Sequence, residues 1–177
     1  MHTLRRLTLL FSVLLLVPTA TARDLTKQEK EEITKQLHAL AYAVEHDDVD
    51  MPLRLMPDVI IEASGGYDHL KEVLIAAYRQ EHASGIKIES CQFDDNFNVC
   101  PGENHEYLIV HERIVLAFQD KHGESLTYLL GVRSKDGGPW KFVDGGNLTR
   151  EIVKKFFPDF PDIELPEIKR RILDEKS

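Results

Sequence analysis

The chain has 177 residues, of which 22 are basic and 30 are acidic, and its formal net charge is −8 at pH 7. This acidic balance disfavours binding to nucleic acid and to anionic membranes, because both carry negative charge themselves. The length is that of one domain with a core large enough to fold alone.

Residues 1–22 have the three parts of an export leader. Arg5 and Arg6 precede the apolar run Leu7–Val17, and the small residues Ala20-Thr21-Ala22 form a cleavage site. The run is too short to cross a bilayer as a helix, and no lipidation signal supplies a stable membrane anchor. We expect a mature chain that begins at Arg23 and is exported, to the periplasm of a Gram-negative cell or otherwise by secretion.

Two helices are predicted after the leader. Thr26 and Glu29 have the spacing of a capping box, and apolar residues then recur at helical intervals. These apolar residues are Ile33, Leu37, Leu40, Ala41 and Val44. Asp50 is predicted to cap a short second helix that has Pro52 in its first turn.

A strand and a further helix are predicted next. The β-branched segment Val59–Ala63 is typical of a strand, and Ser64-Gly65-Gly66 is typical of a tight turn. In the helix that follows, Gly85 is the predicted C-terminal cap residue. The apolar stripe of this helix consists of Leu70, Val73, Leu74, Ala77 and Tyr78.

From residue 86 the apolar pattern becomes that of extended chain. Four strands fit, at residues 86–93, 106–118, 125–133 and 140–144. Gly123 and Asp136-Gly137-Gly138 lie in the links between them, which predicts hairpins between antiparallel neighbours. Thr149 is predicted to cap a last short helix. Residues 158–177 are predicted to form a proline-containing tail that ends in a charged helix over 168–177.

Cys91 and Cys100 are the only two cysteines. In an exported protein a closely spaced pair predicts a disulfide. Metal ligation is the alternative, but a zinc site needs three or four ligands, and the nearest histidine, His105, lacks the paired spacing of such sites. We therefore expect no metal and no cofactor.

The order of elements predicts an α+β fold. A curved antiparallel sheet of about five strands wraps on the N-terminal helices in a single domain over residues 23–157. Two segments carry a family pattern: residues 40–78, with Asp47-Asp48-Val49-Asp50 and Gly65-Gly66, and the late strand Gly138–Gly145. In these segments the chain resembles the nuclear-transport-factor-two-like superfamily of cone-shaped folds, which includes ketosteroid isomerases and polyketide cyclases. The resemblance implies a conical pocket for a small, partly apolar molecule.

The catalytic residues of ketosteroid isomerases have no counterpart here. Their tyrosine, base and second acid fall near Leu40, Ala63 and Ile114, all of which are apolar. The dinucleotide, phosphate-loop, zinc-protease and nucleophile-elbow motifs are absent as well. Isomerase chemistry of that kind is therefore disfavoured.

Glu112 is the sharpest pocket candidate, because it interrupts an apolar face of its predicted strand. A carboxylate there is costly unless it is paired, hydrogen-bonded or protonated. The ordinary alternatives are pairing with an arginine such as Arg133 or Arg79, or a position on a solvated face of the sheet. The other pocket candidates are Tyr128, Trp140 and Asp144.

Three hypotheses for function follow. The leading one is an exported, non-catalytic domain that binds a small apolar or amphipathic molecule. The second is a lyase or isomerase with Glu112 as general base and Tyr128 as hydrogen-bond donor. The third is a protein-protein interaction or homodimerisation module that uses the opposite face of the strand, with candidates Tyr107, His111 and Arg113.

Overall fold

The structure is a computed structural model that describes residues 23–119 and 121–173, so the predicted leader lies outside the described residues. Within them there are five α-helices and six β-strands. The helices are α1 (Lys27–Glu45), α2 (Asp50–Leu55), α3 (Asp58–Ala63), α4 (Tyr67–Ala83) and α5 (Arg150–Phe156). The strands are β1 (Ile86–Phe93), β2 (Val99–Pro101), β3 (His105–Phe118), β4 (Lys121–Ser134), β5 (Lys141–Asp144) and β6 (Lys169–Leu173). In this part of the chain no helix has the length and apolar character needed to cross a membrane.

All six strands form one antiparallel sheet that is curled into a half-barrel. The long strands β3 and β4 pair over their whole length, from His105 with Ser134 to Phe118 with Lys121. The strands β1 and β2 lie end to end along the other edge of β3, and β5 and β6 lie in the same way along β4. The predicted fold class is confirmed: a single α+β domain with a curved antiparallel sheet, consistent with a cone-like fold.

The two faces of the sheet are covered by different helices. Because side chains alternate along a strand, the even-numbered residues of β3 share one face, here called the inner face, and the odd-numbered ones share the outer face. The inner core packs against α1 and includes Ile33, Leu37, Leu40, Phe97, Val99, Leu108, Val110, Leu129, Trp140 and Phe142. The outer core packs against α5 and consists of Tyr107, Leu130, Val132, Val153, Phe157 and Phe160.

A group of charged side chains joins Arg23 to the helix α1 and to the sheet. The Arg23 guanidinium contacts Glu106 (Nε to Oε1, 2.7 Å) and Glu29 (Nη2 to Oε1, 2.8 Å). Arg133 contacts the same two carboxylates. The backbone N–H of Arg23 also donates to the carbonyl of Val99 at 3.0 Å. We call Arg23, Glu29, Glu106 and Arg133 the ion network; it joins α1 to β3 and β4.

Several local predictions are confirmed. The capping box of α1 is present, with the Glu29 N–H donating to Thr26 Oγ1 and the Thr26 N–H donating to Glu29 Oε2. Thr149 Oγ1 accepts the N–H of Ile152 at 3.3 Å and caps α5. Gly85 follows α4 with a φ of 74°, a left-handed conformation that glycine adopts without strain.

The strand predicted at residues 59–63 is wrong, because this segment is the helix α3. Pro57 precedes it, and its carbonyl accepts the N–H groups of Ile60 at 3.0 Å and Ile61 at 3.2 Å, which closes the first helical turn. Asp58 in that turn favours the helix electrostatically. The strand preference of the β-branched residues is weak enough to be overridden by this local geometry.

The predicted cap of α2 is also wrong. Asp50 is the first residue of the helix rather than its cap, and Val49 occupies the cap position without a side-chain bond. The carboxylate that caps locally is Asp48, whose Oδ1 accepts the N–H of Asp50 at 2.9 Å.

The predicted boundary at residue 157 and the predicted C-terminal helix are wrong as well. Phe160 is buried in the outer core, and Ile163 and Leu165 pack against it. Residues 169–173 form the strand β6, which pairs with β4. The domain therefore includes most of the predicted tail, and residues 174–177 lie outside the described residues.

Candidate functional site

The inner face of the sheet has two halves, and the described helices cover only one of them. The closed half, around Leu108 and Val110, is fully buried beneath α1. The helix ends at Glu45, whose Oε1 accepts the backbone N–H of Cys91 at 2.7 Å. The helix α4, which directly precedes β1, has no buried side chain, and the apolar stripe predicted for it is half-exposed, with Val73 47 % exposed. Among the described helices, therefore, none packs tightly on the open half, from Ile114 to Phe118.

A cavity of about 740 Å³ lies on the open half. Its apolar lining comes from β1, β3 and β6 and consists of Ile86, Ile88, Ile114, Leu116, Phe118 and Ile172. Its polar and charged lining includes Glu81, Glu124, Ser125, Thr127, Asp144, Arg170 and Arg171. The cavity is thus lined by both apolar and polar side chains.

The polarity of the cavity is graded along the strands. In the β3–β4 register, Glu112 lies opposite Thr127 at one end, and Phe118 lies opposite Lys121 at the other. Successive residue pairs on the inner face are two positions apart along each strand, which is a distance of roughly 7 Å. The polar end adjoins the buried core of the closed half, since Leu129 is the next inner-face residue of β4. The apolar end lies toward the β3–β4 turn.

Thr127 is the notable polar group at the inner end of the cavity. It is 8 % exposed, it lines the cavity, and its Oγ1 has no hydrogen-bond partner among the described residues. A buried hydroxyl without a partner costs free energy, and such groups are uncommon in folded proteins. The hydrogen-bonding capacity of this hydroxyl is therefore not used by the described residues.

Glu112 lies beside Thr127 and is 7 % exposed. The only side chain that hydrogen-bonds to it within the described part of the chain is Cys91, whose thiol donates to Glu112 Oε1 at 3.2 Å. Burial, together with the nearby charge of Asp144, raises the pKa of Glu112 to about 7, although the Cys91 hydrogen bond partly opposes this. The predicted pairing with arginine is wrong, since Arg133 belongs to the ion network.

Asp144, one of the pocket candidates, lies in the lining of the cavity. It ends β5 opposite Leu129, so it is a diagonal neighbour of Thr127 across the β4–β5 pair. Such neighbours have Cα atoms roughly 7–8 Å apart. Its Oδ1 accepts the N–H of Gly146 at 2.9 Å, which fixes the carboxylate at the start of the following turn.

Tyr128 and Trp140 do not line the cavity. Tyr128 lies opposite His111 on the outer face and is fully buried there, so it does not act together with Glu112. Its ring packs so closely on Gly145 that a Cβ at that position would lie 2.6 Å from the ring. Trp140 belongs to the inner core of the closed half, where the Arg133 guanidinium lies 4.7 Å from its ring centroid.

The predicted disulfide is wrong, because both cysteines are free thiols. Cys91 lies opposite Ile114 and Cys100 lies opposite Tyr107 on the same strand. Seven residues of extended chain separate these positions by roughly 23 Å, far more than the 4.4–6.8 Å between bridged Cα atoms. Burial and the Glu112 carboxyl raise the pKa of the Cys91 thiol, which keeps it protonated.

The outer-face candidates are only partly surface residues. Tyr107 is fully buried, and its hydroxyl donates to Asp159 at 2.6 Å, so its predicted role in an exposed interface is wrong. His111 is exposed. Arg113 contacts Glu124 (Nε to Oε1, 2.5 Å), whose other oxygen contacts Arg171. These two arginines lower the pKa of Glu124, with Arg171 the larger influence.

The sequence reasoning missed Thr127, Ser125 and Arg170 as cavity residues. Thr127 and Ser125 alternate with Leu126 and Tyr128, so they occupy the face opposite Tyr128. The sequence shows this alternation, but it does not show which face of β4 borders the cavity. Arg170 lies in the segment predicted as a helix.

Over residues 23–119 and 121–173, no group of three or more His, Cys, Asp or Glu side chains is arranged to hold a metal ion. Comparison with known proteins adds no assignment: no protein-family model, no curated protein and no solved structure matches this chain. The function of this chain is therefore inferred from the cavity itself.

Proposed function

We propose that this protein binds a small amphipathic molecule in the cavity on the open half of its inner face. The apolar part of the molecule packs against the side chains of β1 and β3, and a polar group reaches Thr127. The observation that carries the proposal is Thr127, a residue of the cavity lining whose buried hydroxyl has no hydrogen-bond partner among the described residues. A hydrogen bond from a ligand would remove the cost of leaving this group unpaired.

The size and lining of the cavity support this proposal. Cavities that bind small molecules typically enclose about 300–1,000 Å³ and combine apolar walls with a few placed polar groups. A volume of about 740 Å³ lies within that range. The separation of apolar and polar lining favours a molecule that is itself apolar at one end and polar at the other.

Binding is better supported than catalysis. A general base must reach its substrate directly or through one water molecule. The Glu112 carboxyl is hydrogen-bonded to Cys91 and is not among the groups that line the cavity. The tyrosine proposed as its partner, Tyr128, lies on the other face of the sheet.

The cellular setting is part of the same proposal. The leader at residues 1–22 supports export, and the element pattern supports membership of the cone-shaped superfamily that the sequence resembles. Detection of a mature chain that begins at Arg23 in a cell-envelope or culture fraction is the experiment for the first of these. A chain that keeps residues 1–22 and stays in the cytoplasm would contradict it.

The variant Thr127→Val tests the function, because valine has nearly the same shape and no hydroxyl. We expect the wild-type protein to bind 1-decanol in a calorimetric titration and the variant to bind it about tenfold more weakly, the equivalent of one lost hydrogen bond. The variant should also be about 1 kcal/mol more stable to urea, since it removes an unpaired buried polar group.

Thr34→Val is the matched control, because Thr34 is half-buried on α1 outside the cavity. It should leave decanol binding unchanged. Absence of decanol binding to the wild type, or equal binding by Thr127→Val, would contradict the proposed function. A gain in stability together with a loss in binding identifies Thr127 as a group kept for its ligand.

A further inference from the structure

The outer face of the sheet carries a carboxylate that two arginines enclose. Glu124 on β4 has only 1 % of its side chain exposed. The Arg113 Nε donates to its Oε1 at 2.5 Å, and the Arg171 Nε donates to its Oε2 at 2.5 Å. Because β3 and β6 pair with opposite edges of β4, the two guanidinium groups approach this carboxylate from opposite sides.

Each of these arginines uses only part of its hydrogen-bonding capacity. A guanidinium donates from Nε and from both Nη atoms. In the described part of the chain, the Nη atoms of Arg113 and Arg171 make no hydrogen bond. The two side chains are 42 % and 68 % exposed, so these donors are open to solvent. Glu124 thus holds two guanidinium groups at one place, and their remaining donors can bind an acceptor.

A third cation lies on the same face. Lys169 on β6 lies opposite Leu126, which lies opposite Arg113, so these residues form one row across the sheet. Two strand spacings place the Cα atoms of Arg113 and Lys169 roughly 10 Å apart. Lys169 and Arg171 are two residues apart and share a face. The outer cluster is defined by Arg113, Glu124, Lys169 and Arg171.

The outer cluster has three cations and one carboxylate, although the whole chain has a formal net charge of −8. Two further carboxylates at its margin have other partners: Glu89 contacts His122 at 2.8 Å, and Asp94 accepts the N–H of Asn96 at 2.9 Å. Holding like charges close together costs free energy through their repulsion. A bound anion would remove that cost.

We propose that the outer cluster binds a phosphate group, free or as a small ester, through the Nη donors of Arg113 and Arg171, with Lys169 beside it. Near neutral pH such a group carries close to two negative charges, which matches the excess of positive charge. The forked donors of arginine also fit phosphate oxygens in a bidentate manner. The site lies on the opposite face from Thr127 and does not require a ligand in the cavity.

The binding of phosphate would also hold β6 more firmly. Arg171 belongs to β6 and Arg113 to β3, so one anion that contacts both would connect these strands across β4. Glu124 and Arg171 border the cavity as well, so the site and the cavity share β6. We therefore expect bound phosphate to slow the local opening of β6, which has no buried side chain.

The test follows the Nε–H signals of Arg113 and Arg171 by nuclear magnetic resonance during titration of the mature protein at constant ionic strength. The probes are inorganic phosphate, glycerol 3-phosphate and acetate. We expect both phosphate probes to bind about tenfold more tightly than acetate, with affinities in the millimolar range because the arginines are partly exposed. Tighter binding of glycerol 3-phosphate would identify an ester as the source, and tighter binding of inorganic phosphate would identify the free ion.

Two variants and a control locate the site. Arg113→Gln should weaken phosphate binding about tenfold. Lys169→Gln should weaken it about threefold, and this variant should keep the fold because Lys169 makes no hydrogen bond with a described side chain. Arg79→Gln removes the same charge from an exposed position on α4 and should leave the affinity unchanged.

Amide hydrogen exchange provides the second measurement. Saturating phosphate should slow exchange of residues 169–173 in the wild type and leave it unchanged in Arg113→Gln. The proposed site is overturned if phosphate moves neither arginine signal, if acetate binds as tightly, or if Arg79→Gln weakens binding as much as Arg113→Gln does. Since no decanol is present, none of these results affects the proposed function of the cavity.

Discussion

The closed and open halves of the inner face are built from the same two strands and differ in what covers them. In the closed half, Leu37 from α1 packs on Leu108 and Val110, and the ion network holds the helix in place. In the open half the same strands carry Leu116 and Phe118, which remain half-exposed around the cavity. The difference shows that a covering helix, rather than the apolar character of the strand, determines where the core ends and the cavity begins.

The largest effect expected from this difference is in the stability that is lost when a leucine in each half is replaced by alanine. Leu37→Ala removes a side chain that is 2 % exposed in the closed half, and we expect a loss of about 3–4 kcal/mol in the free energy of unfolding. Leu116→Ala enlarges a cavity that already exists, so its cost should be ~1 kcal/mol. Urea denaturation followed by circular dichroism measures both. Equal losses would mean that the two halves are packed alike.

The next effect concerns Glu112, which lies at the boundary between the halves. Its pKa is raised from 4.5 to about 7, so the folded protein holds the proton more tightly than the unfolded chain. The resulting stabilisation is complete below pH 4.5 and is lost as the pH rises through 7. From this group alone we expect stability to fall by up to ~3 kcal/mol between about pH 5 and pH 8, and Glu112→Gln should abolish the fall.

Glu106 in the ion network should affect the pH dependence of stability in the opposite direction to Glu112. Hydrogen bonds from Arg23, and then from Arg133, lower the pKa of this carboxyl below 4.5. Its stabilisation is therefore complete above that value and is lost as the pH falls through the lowered pKa. Glu106→Gln should lower the free energy of unfolding by about 1–2 kcal/mol near neutral pH. It should also make that free energy depend less on pH in the acid range. Identical pH profiles for the two variants would contradict the assigned environments.

The smallest effect is chemical, and it tests whether the two halves are linked covalently. Cys91 lies in the open half and Cys100 along the closed half, so a disulfide would join them. We expect two alkylated thiols per chain after unfolding without reductant. In the folded protein Cys91 should not react, because burial raises its pKa. A chain without free thiols would mean that β1 and β2 are placed wrongly along β3.

Features that depend on local chemistry could be predicted from the sequence. The capping box at Thr26, the cap at Thr149 and the bounds of β1 follow from neighbouring residues alone. The fold class follows from the order of elements. The helix α3 and the strand β6 could not be predicted, because Pro57 closes a helical turn in one and pairing with a distant strand forms the other.

The site depends on a register that the sequence left open. The glycine at 123 was expected in the turn, yet the turn has Gln119 with a φ of 52°, and Gly123 lies within β4 beneath the ring of Phe118. Placing the turn at Gln119 is what sets Thr127 opposite Glu112. The alternation of side chains along β3 was enough to place the Glu112 carboxyl on the inner face. Which residues lie beside it can be predicted only when the register between β3 and β4 is known.

The strand β6 has a consequence for the local stability of the cavity wall. It has five residues, none of them buried, and its side chains are held mainly by the Arg171–Glu124 contact. Segments with so few buried contacts open locally at much lower free energy than the global unfolding of the domain. Amide hydrogen exchange should therefore be faster in residues 169–173 than in β3 or β4. The strand that completes one wall of the cavity should therefore open while the closed half stays folded.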